Sequence, residues 1–306
     1  MTEDSHASGL RERVIGAILA NRHPGWHFPG HFLGIRYDQA SDRDTRLSCA
    51  SRPEFLTEEG RLDFAVVAIV CDLALAACTR NRFGLSNRLA TLNLSIYLHG
   101  PLGHADIQAR SRLLSQNPSL HAAMAYADAF SGEELQASAV ANFLAIPSDK
   151  PLNATPLPRD RPPDLATEQP LPELTEDEGL ILRRADTAAA DGLPGFTKRL
   201  WRCDYERNSA GVEGRFDTGS HAGNRAGHTQ GGLMAGLAAG AAVASAGEGY
   251  RISALHANYL RPGRGARLQV LGACQHRGST TASATVEVRD EQGRPLLSGL
   301  AALVRD

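Results

Sequence analysis

Apolar and polar positions follow the same order twice along this 306-residue chain, and each time they predict the same succession of elements. Residues 8–21 place their apolar side chains on one face of a helix, with Ser8 as a candidate N-cap. Residues 175–190 repeat that spacing, with Thr175 as the candidate cap and acidic residues in the first turn, where the helix dipole favours negative charge. The pattern predicts that both halves begin with a helix.

Each opening helix is followed by alternating stretches that predict strands on either side of a second, more apolar helix. The strands expected in the first half are 31–38, 44–52, 90–98, 105–115, 119–130 and 135–146. Those expected in the second half are 197–206, 210–217, 252–260, 266–275, 279–289 and 294–304. The pattern therefore predicts an α+β protein of two similar units, each an antiparallel sheet wrapped around a long central helix.

A proline-rich segment separates the two units. Residues 147–172 hold eight of the sixteen prolines in the chain, so this segment favours extended polyproline geometry and cannot supply ladder hydrogen bonds. We therefore expect a first domain at 1–146, a linker at 147–174 and a second domain at 175–306.

Charge and composition narrow the range of partners. Lys and Arg number 32 against 34 Asp and Glu, so there is no overall electrostatic case for binding nucleic acid or an anionic membrane. The N-terminus is acidic and polar, and we expect no later stretch to span a bilayer. The five cysteines form no C-x-x-C pair, and no metal site is expected. These features favour a cytoplasmic protein with a small-molecule partner.

The residues ahead of each apolar helix carry the candidate chemistry, and the two copies differ there. The second copy reads Asn224-Arg225-Ala226-Gly227-His228-Thr229-Gln230-Gly231-Gly232, with a glycine pair at the helix start. The first reads Gly60-Arg61-Leu62-Asp63-Phe64-Ala65 and lacks that pair, but its helix carries Asp72. The second copy has Ala239 at the position of Asp72, so each copy retains a part that the other lacks.

This arrangement resembles the hotdog-fold acyl-CoA thioesterases, and in particular their phenylacetyl-CoA-type branch. The motif Asn-x-x-Gly-x-x-His-Gly-Gly is matched from Asn224 to Gly232, except that Gln230 stands in place of His. Both copies continue into a strand that ends in an aromatic residue and Leu before a proline, at Tyr97-Leu98 and Tyr259-Leu260. The resemblance covers both halves and implies a double hotdog, two hotdog units in one chain.

The resemblance also implies where the active site lies. In such enzymes the site is built between two units, one giving a helix N-terminus and the other an acid from its own helix. Asp72 stands where the family places that acid. The complementary copies imply one working site per chain, in which Asp72 meets Gly231 and Gly232. The mirror site would bring together Phe64, Ala65 and Ala239.

Thioester hydrolysis needs hydrogen-bond donors for the anion formed when the carbonyl is attacked, and a group that activates water or attacks directly. The leading N–H groups of a helix have no partner within it, so Gly231 N–H is the expected donor, with Gly232 as its neighbour. Asp72 lies roughly 12 Å along its own helix and therefore faces the other unit. It is assigned as a general base toward water or as a nucleophile through an anhydride, and both roles stay open.

Five residues are expected to shape the pocket or bind the substrate: Asn224, His228, Gln230, Gly232 and Arg261. Gln230 can hydrogen-bond a thioester or a water but cannot shuttle a proton as His can. A turn-forming role for Asn224 and a solvent-facing position for His228 are the alternatives. Arg261 can meet coenzyme A phosphates, although a solvated surface explains it equally well.

The leading prediction is an acyl-CoA thioesterase whose only coenzyme is the CoA of its substrate. A hotdog hydratase or dehydratase is the enzymatic alternative, and a non-catalytic acyl-CoA-binding protein is the other. The strings at 27–31 and 117–121 resemble parts of dehydratase and hydratase motifs but lack their continuations, so we discount both. Association of chains into a homo-oligomer is expected only by analogy.

Overall fold

The computed structural model describes residues 3–23, 25–41, 43–84, 87–147 and 173–306. Most of the predicted linker lies outside the described residues. The helices are Glu3–Ala20 (α1), Phe28–Phe32 (α2), Phe64–Phe83 (α3), Glu176–Ala189 (α4), Phe196–Leu200 (α5) and Gly231–Ala246 (α6).

The strands of the first half are Arg36–Ala40 (β1), Asp44–Cys49 (β2), Asn87–Leu98 (β3), Ile107–Asn117 (β4), Ala122–Ser131 (β5) and Glu134–Pro147 (β6). Those of the second half are Asp204–Asn208 (β7), Gly211–Asp217 (β8), Tyr250–Tyr259 (β9), Arg267–Arg277 (β10), Thr281–Arg289 (β11) and Pro295–Arg305 (β12). All twelve form one antiparallel sheet in the order β1-β2-β4-β5-β6-β3-β9-β12-β11-β10-β8-β7.

The sheet order repeats the duplication seen in the sequence. From the centre outward, the second half has the same order of strands as the first, and β3 pairs with β9 where the halves meet. This pairing runs antiparallel from Asn93 opposite Asn258 to Tyr97 opposite Ala254. The two halves are therefore related by an approximate twofold axis that passes between these central strands.

Two long helices pack against the sheet and against each other, α3 in the first half and α6 in the second. Asp63 caps α3 by accepting a hydrogen bond from Ala65 N at 2.9 Å, which satisfies one of the unpaired N–H groups of the first turn. Gln230 caps α6 in the same way, accepting from Leu233 N at 2.6 Å. Both helices therefore begin at equivalent residues of the repeat.

Small residues allow the helices to approach the sheet closely. The inward-facing side chains of β5 are all alanine at 123, 125, 127 and 129. In the second half, a Cβ at Gly272 of β10 would lie 2.4 Å from the Ala241 carbonyl oxygen of α6, so only glycine fits there. Close packing of this kind holds the two helix axes, and the residues at their ends, in fixed positions.

The predictions for two strands are wrong at the N-terminal ends of those strands. The stretches 31–38 and 197–206 begin with the short helices α2 and α5, and their strands start only at Arg36 and Asp204. Pro29 stands in the first turn of α2, where its missing N–H costs nothing, and the His27 side chain caps that turn by accepting from Gly30 N.

Two helix predictions can also be compared with the structure. Thr175 caps α4 in a capping box with Glu178, as the sequence predicts. The expectation for Ser8 is wrong, because α1 begins at Glu3 and Ser8 lies inside it. The polar residues ahead of Ser8 include no proline or glycine, so nothing in the sequence stops the helix from beginning earlier.

The expectation that no later stretch can span a bilayer also needs correction. Helix α3 is long and apolar enough by length and composition alone. However, 67 % of its most apolar window is buried inside the protein, and a buried core helix passes the same test. The apolar character of α3 is accounted for by its position between the sheet and α6.

Candidate active site

A tight loop leads into the N-terminus of α6. The Asn224 side-chain oxygen accepts hydrogen bonds from Ala226 N at 2.8 Å and His228 N at 3.1 Å. Gly227 has a φ of 71°, a left-handed conformation that glycine adopts without strain. Asn224 thus folds the loop, which is the turn-forming alternative considered for it.

Asp72 of α3 lies against this helix start. Its Oδ2 atom accepts hydrogen bonds from Gln230 Nε2 at 2.7 Å and from Gly232 N at 3.2 Å. Asp72 is 6 % exposed and Gln230 is 1 % exposed, so the contact is shielded from bulk water. The structure therefore brings a carboxylate from the first half to the helix N-terminus of the second.

Both glycines are required by this arrangement. A Cβ at Gly231 would lie 3.0 Å from Asp72 Oδ2, so a side chain there would press on the carboxylate. A Cβ at Gly232 would lie 2.4 Å from the Ala68 carbonyl oxygen and 2.6 Å from Ile69 Cα, both backbone atoms of α3. Gly231 thus admits the acid, and Gly232 permits the close approach of the two helices.

The first-turn amides of α6 have different partners. Gly232 N–H is taken by Asp72, and Leu233 N–H by the Gln230 side chain. Among the described residues, Gly231 N–H has no hydrogen-bond acceptor, so it is the amide still open to a ligand. The Tyr259 hydroxyl donates to the Gly231 carbonyl oxygen at 2.7 Å, which fixes the peptide that joins the two glycines.

Burial controls the charge of the carboxyl group. It raises the pKa of Asp72 from 3.8 to about 6, while the hydrogen bonds from Gly232 and Gln230 act in the opposite direction. Oδ1 is buried and has no hydrogen-bond partner within the described part of the chain. At neutral pH, Asp72 is therefore a carboxylate with one oxygen held by the protein and the other without a partner among the described residues.

The mirror position between the two halves is built differently. Ala239 takes the place of the acid, and a Cβ at Gly236 would lie 2.6 Å from Ala65 Cβ, so side chains fill this space. The Asp63 carboxylate accepts from Thr197 Oγ1 at 3.0 Å and from Ala65 N. It is thus fully engaged as a helix cap. At only one of the two positions does an acid from the middle of one helix meet the N-terminus of the other helix.

The structure does not bring the remaining predicted residues to the carboxylate. His228 Nε2 accepts from Arg264 Nε at 2.8 Å, and burial and the Arg264 charge lower the pKa of His228. Arg261 is exposed and donates to the Pro295 carbonyl oxygen at 2.8 Å. Of the substrate-binding candidates, only Gln230 and Gly232 contact Asp72.

Sequence reasoning missed two features of this region. Tyr259 appears only as the aromatic residue of a strand motif, yet its hydroxyl holds Gly231, and burial and the Asp72 charge raise its pKa. A cavity of about 10 Å³ also lies beside Leu73, next to Asp72 in sequence, with Tyr37 and Arg225 in its wall. The position equivalent to Arg225 in the first copy is Glu58. This change of charge is the sequence feature that could have drawn attention to the cavity.

We find no candidate metal-binding cluster in the described residues. No group of three or more His, Cys, Asp or Glu side chains there is arranged to hold an ion. All five cysteines are free thiols, and burial raises the pKa of Cys49, Cys71 and Cys203 to about 12, which keeps these three protonated.

Comparison with solved structures gives the fold class. A protein of unknown function with a hotdog fold from Alicyclobacillus acidocaldarius has a TM-score of 0.56, at 10% identity over 89% of this chain and 95% of that one. A proposed thioesterase from Novosphingobium aromaticivorans has a TM-score of 0.57, at 10% identity over 89% and 98%. A proposed thioesterase II from Thermobifida fusca has a TM-score of 0.53, at 13% identity over 90% and 96%. The chain thus has the α+β architecture of hotdog-fold proteins.

The family comparison covers a shorter part of the chain, which includes part of the candidate site. Residues 229–296 match the family model described as Thioesterase superfamily, a segment that contains Gln230, Gly231 and Gly232 but not Asp72. No curated protein matches the chain. The similarity to the thioesterase superfamily thus lies in the segment that contains the α6 helix start, while the structural neighbours show the fold.

Proposed function

We propose that this protein is an acyl-CoA thioesterase with a single composite site, made by Asp72 of one hotdog unit and the N-terminus of α6 of the other. The hydrogen bond from Gly232 N to Asp72 Oδ2 is the observation that carries the proposal. It sets a buried carboxylate beside an amide that has no acceptor, which are the two groups that hydrolysis of a thioester needs. The proposal treats the chain as a double hotdog in the phenylacetyl-CoA-type branch, with domains at 1–146 and 175–306.

In the proposed reaction, Asp72 Oδ1 accepts a proton from a water whose oxygen attacks the thioester carbonyl carbon. The carbonyl oxygen becomes an oxyanion and accepts a hydrogen bond from Gly231 N–H, whose partial positive charge the α6 dipole reinforces. Collapse of the tetrahedral intermediate breaks the C–S bond, and the thiolate of coenzyme A takes the proton from Asp72. The products are a carboxylic acid and free coenzyme A, and Asp72 returns to its ionised form.

Direct attack by Asp72 through an anhydride uses the same residues. The two routes differ in the origin of the oxygen in the product. In a single turnover in ¹⁸O-labelled water, general-base catalysis places the label in the released acid. The anhydride route instead leaves unlabelled acid and labels the carboxylate of Asp72 when water attacks on the protein side.

A thiol-release assay over short, medium, long and aromatic CoA esters tests the function. Asp72→Asn keeps the shape of the side chain but cannot accept a proton, so we expect turnover to fall by about 10²–10⁴ while ligand binding is retained. Asp63→Asn is the matched control, because Asp63 occupies the equivalent helix start at the mirror position and an asparagine still caps α3. The control should retain most of its activity.

Other outcomes would favour the alternatives. Addition of water to an enoyl-CoA without release of thiol would support a hydratase. Binding of acyl-CoA with neither reaction would support a non-catalytic binding protein. Full turnover by Asp72→Asn would reject the assignment of Asp72.

A further inference from the structure

The cavity beside the candidate active site has an unusual wall. It has a volume of about 10 Å³, room for about one water, and lies between the α2 region and α3. Its wall includes the aromatic rings of Trp26, His31 and Tyr37, with Leu73 of α3 and Arg225 of the loop before α6. An arginine among aromatic and aliphatic groups, next to the reactive carboxylate, calls for an anionic partner.

The repeat shows that Arg225 lacks the partner that its counterpart has. Leu56–Leu62 and Gly223–Thr229 are equivalent β-bridges, and they place Glu58 at the position of Arg225. Glu58 is matched by charges on α5, with Lys198 Nζ at 3.8 Å and Arg199 Nη1 at 3.6 Å. No hydrogen bond or ion pair in the described part of the chain engages Arg225.

A second cation lies within range of the first. One stripe along α3 is partly exposed and consists of residues at helical spacing, Leu73, Ala76 and Arg80. The residues between them are buried. The Arg80 side chain also has no hydrogen bond or ion pair within the described residues. Burial and the Arg225 charge lower the pKa of Arg80. Two arginines that repel each other thus lie near one cavity, and neither side chain is paired with a carboxylate of the described residues.

Two tyrosines at equivalent positions of the repeat differ in their surroundings, and a cavity is open beside the one in the first half. In the second half, the Tyr205 hydroxyl donates to the Leu237 carbonyl oxygen at 2.6 Å and lies over Gly240, the counterpart of Leu73. In the first half, Tyr37 lines the cavity, and its hydroxyl has no hydrogen-bond partner within the described chain. The cavity wall therefore offers a ligand a hydroxyl donor and the guanidinium group of Arg225, with Arg80 close by.

We propose that this cavity, with Arg225 and Tyr37 in its wall and Arg80 nearby, receives a carboxylate at the far end of the acyl group, so that the substrate is the thioester of a short dicarboxylic acid. This inference rests on the proposed function and names the substrate class of the same site. The cavity is half-open and adjoins Leu73, and its room for about one water suits a carboxylate oxygen, whereas the nucleotide of coenzyme A does not fit.

The position of Arg80 gives an upper limit to the length of the acyl group. It lies eight residues beyond Asp72, about 12 Å along the helix, and a helical side chain leans back toward the N-terminus. An acyl chain of about four to six carbons spans what remains between the two groups.

Matched thioesters test the proposal. Glutaryl-CoA and valeryl-CoA both have five acyl carbons, and their N-acetylcysteamine thioesters lack the phosphates of coenzyme A. We expect kcat/KM at least 10-fold higher for the glutaryl esters of both kinds. Arg225→Gln should lower the glutaryl values by about 10- to 100-fold, as for the loss of one charge-assisted hydrogen bond, and the valeryl values by less than 3-fold. Arg202→Gln, an exposed arginine paired with Asp204, is the control and should change neither.

Equal losses for glutaryl-CoA and valeryl-CoA that disappear with the N-acetylcysteamine esters would overturn the proposal, because the arginine would then bind the phosphates of coenzyme A. Equal rates for glutaryl and valeryl esters in the wild-type protein would also overturn it, while leaving thioester hydrolysis intact.

A binding measurement separates this proposal from the proposed function. Glutarate, but not valerate, should raise the Tm of Asp72→Asn, and the additional Arg225→Gln should abolish that rise. This result in a protein that hydrolyses no thioester would sustain the anion site and reject the hydrolase. A glutarate effect that survives Arg225→Gln would reject the anion site.

Discussion

Gly232 donates its backbone N–H to Asp72 Oδ2 across 3.2 Å, although 160 residues separate them in the chain. The donor lies in the first turn of α6 and the acceptor in the middle of α3, so the bond forms only when the two halves pack together. Only proline removes a backbone N–H, and its ring would collide with α3 at Gly232, so the consequences of this contact are best tested through the groups around it.

The acid limb of the pH profile reports the state of Asp72. With a pKa of about 6, kcat/KM should rise with pH and reach half its maximum near that value. Gln230 stabilises the charged form through its 2.7 Å hydrogen bond, so Gln230→Met should move the limb upward by about one pH unit. Asp63→Ala removes the equivalent cap of α3 and should lower Tm while leaving the limb in place. An unmoved limb in Gln230→Met would mean that another group titrates.

The same buried charge makes stability depend on pH. Asp72 has a higher pKa in the folded protein than its usual 3.8, so the folded state binds the proton more tightly than the unfolded state does. The ionised carboxylate therefore destabilises the fold as pH rises from about 4 through 6. Once Asp72 is fully ionised, this shift of its pKa lowers the free energy of unfolding by about 3 kcal/mol.

Asp72→Asn removes this cost while its amide oxygen still accepts the two hydrogen bonds. The variant should be more stable than the wild-type protein by about 1–3 kcal/mol at pH 8, and by much less at pH 4. Urea unfolding at the two pH values measures the difference. A wild-type protein that is the more stable at pH 8 would contradict the burial of an ionised group at this position.

The sequence predicts most of the strands because their alternation is local. In β5, for example, every second residue from Ala123 to Ala129 faces the core, and the pattern is legible without knowing the partner strands. The helices α2 and α5 are not predicted, since their aromatic residues suit a strand equally well. Their packing decides between the two: Phe32 contacts Phe55, Phe196 and Trp201, which come from distant parts of the chain.

The candidate site is predictable only where the two copies can be compared. Asp72 and the glycine pair are identified because each is missing from the other copy. The two hydrogen bonds of Gln230, one from its oxygen to cap α6 and one from its nitrogen to Asp72, depend on the distance between the helices and leave no mark on the sequence. The charge difference between Glu58 and Arg225 is visible, but its meaning depends on which groups α2 and α5 bring close.

Tyr259 should affect turnover more than its distance from the chemistry suggests. Its hydroxyl bonds the carbonyl of the Gly231–Gly232 peptide, whose N–H bonds Asp72, so the peptide is held at both ends. Tyr259→Phe should cost about 1 kcal/mol of stability and lower kcat several-fold. Tyr205→Phe is the control, since it removes a similar bond to the Leu237 carbonyl away from the site. Equal kcat values for the two variants would show that Tyr259 has only a structural role.

Substitution of each glycine by alanine should separate chemistry from folding. At Gly231 the three atoms nearest to the new Cβ all belong to the carboxylate of Asp72, the closest at 3.0 Å, and a side chain can move by a few tenths of an ångström. Gly231→Ala should therefore fold with a Tm close to that of the wild-type protein and lose most of its kcat, because the acid is displaced. At Gly232 the Cβ meets backbone atoms of α3 at 2.4 and 2.6 Å, which cannot move without separating the helices. Gly232→Ala should lose about 3 kcal/mol or more of stability, measured by urea unfolding. The opposite ranking, with Gly231→Ala the less stable and the more active variant, would contradict the roles assigned to the pair.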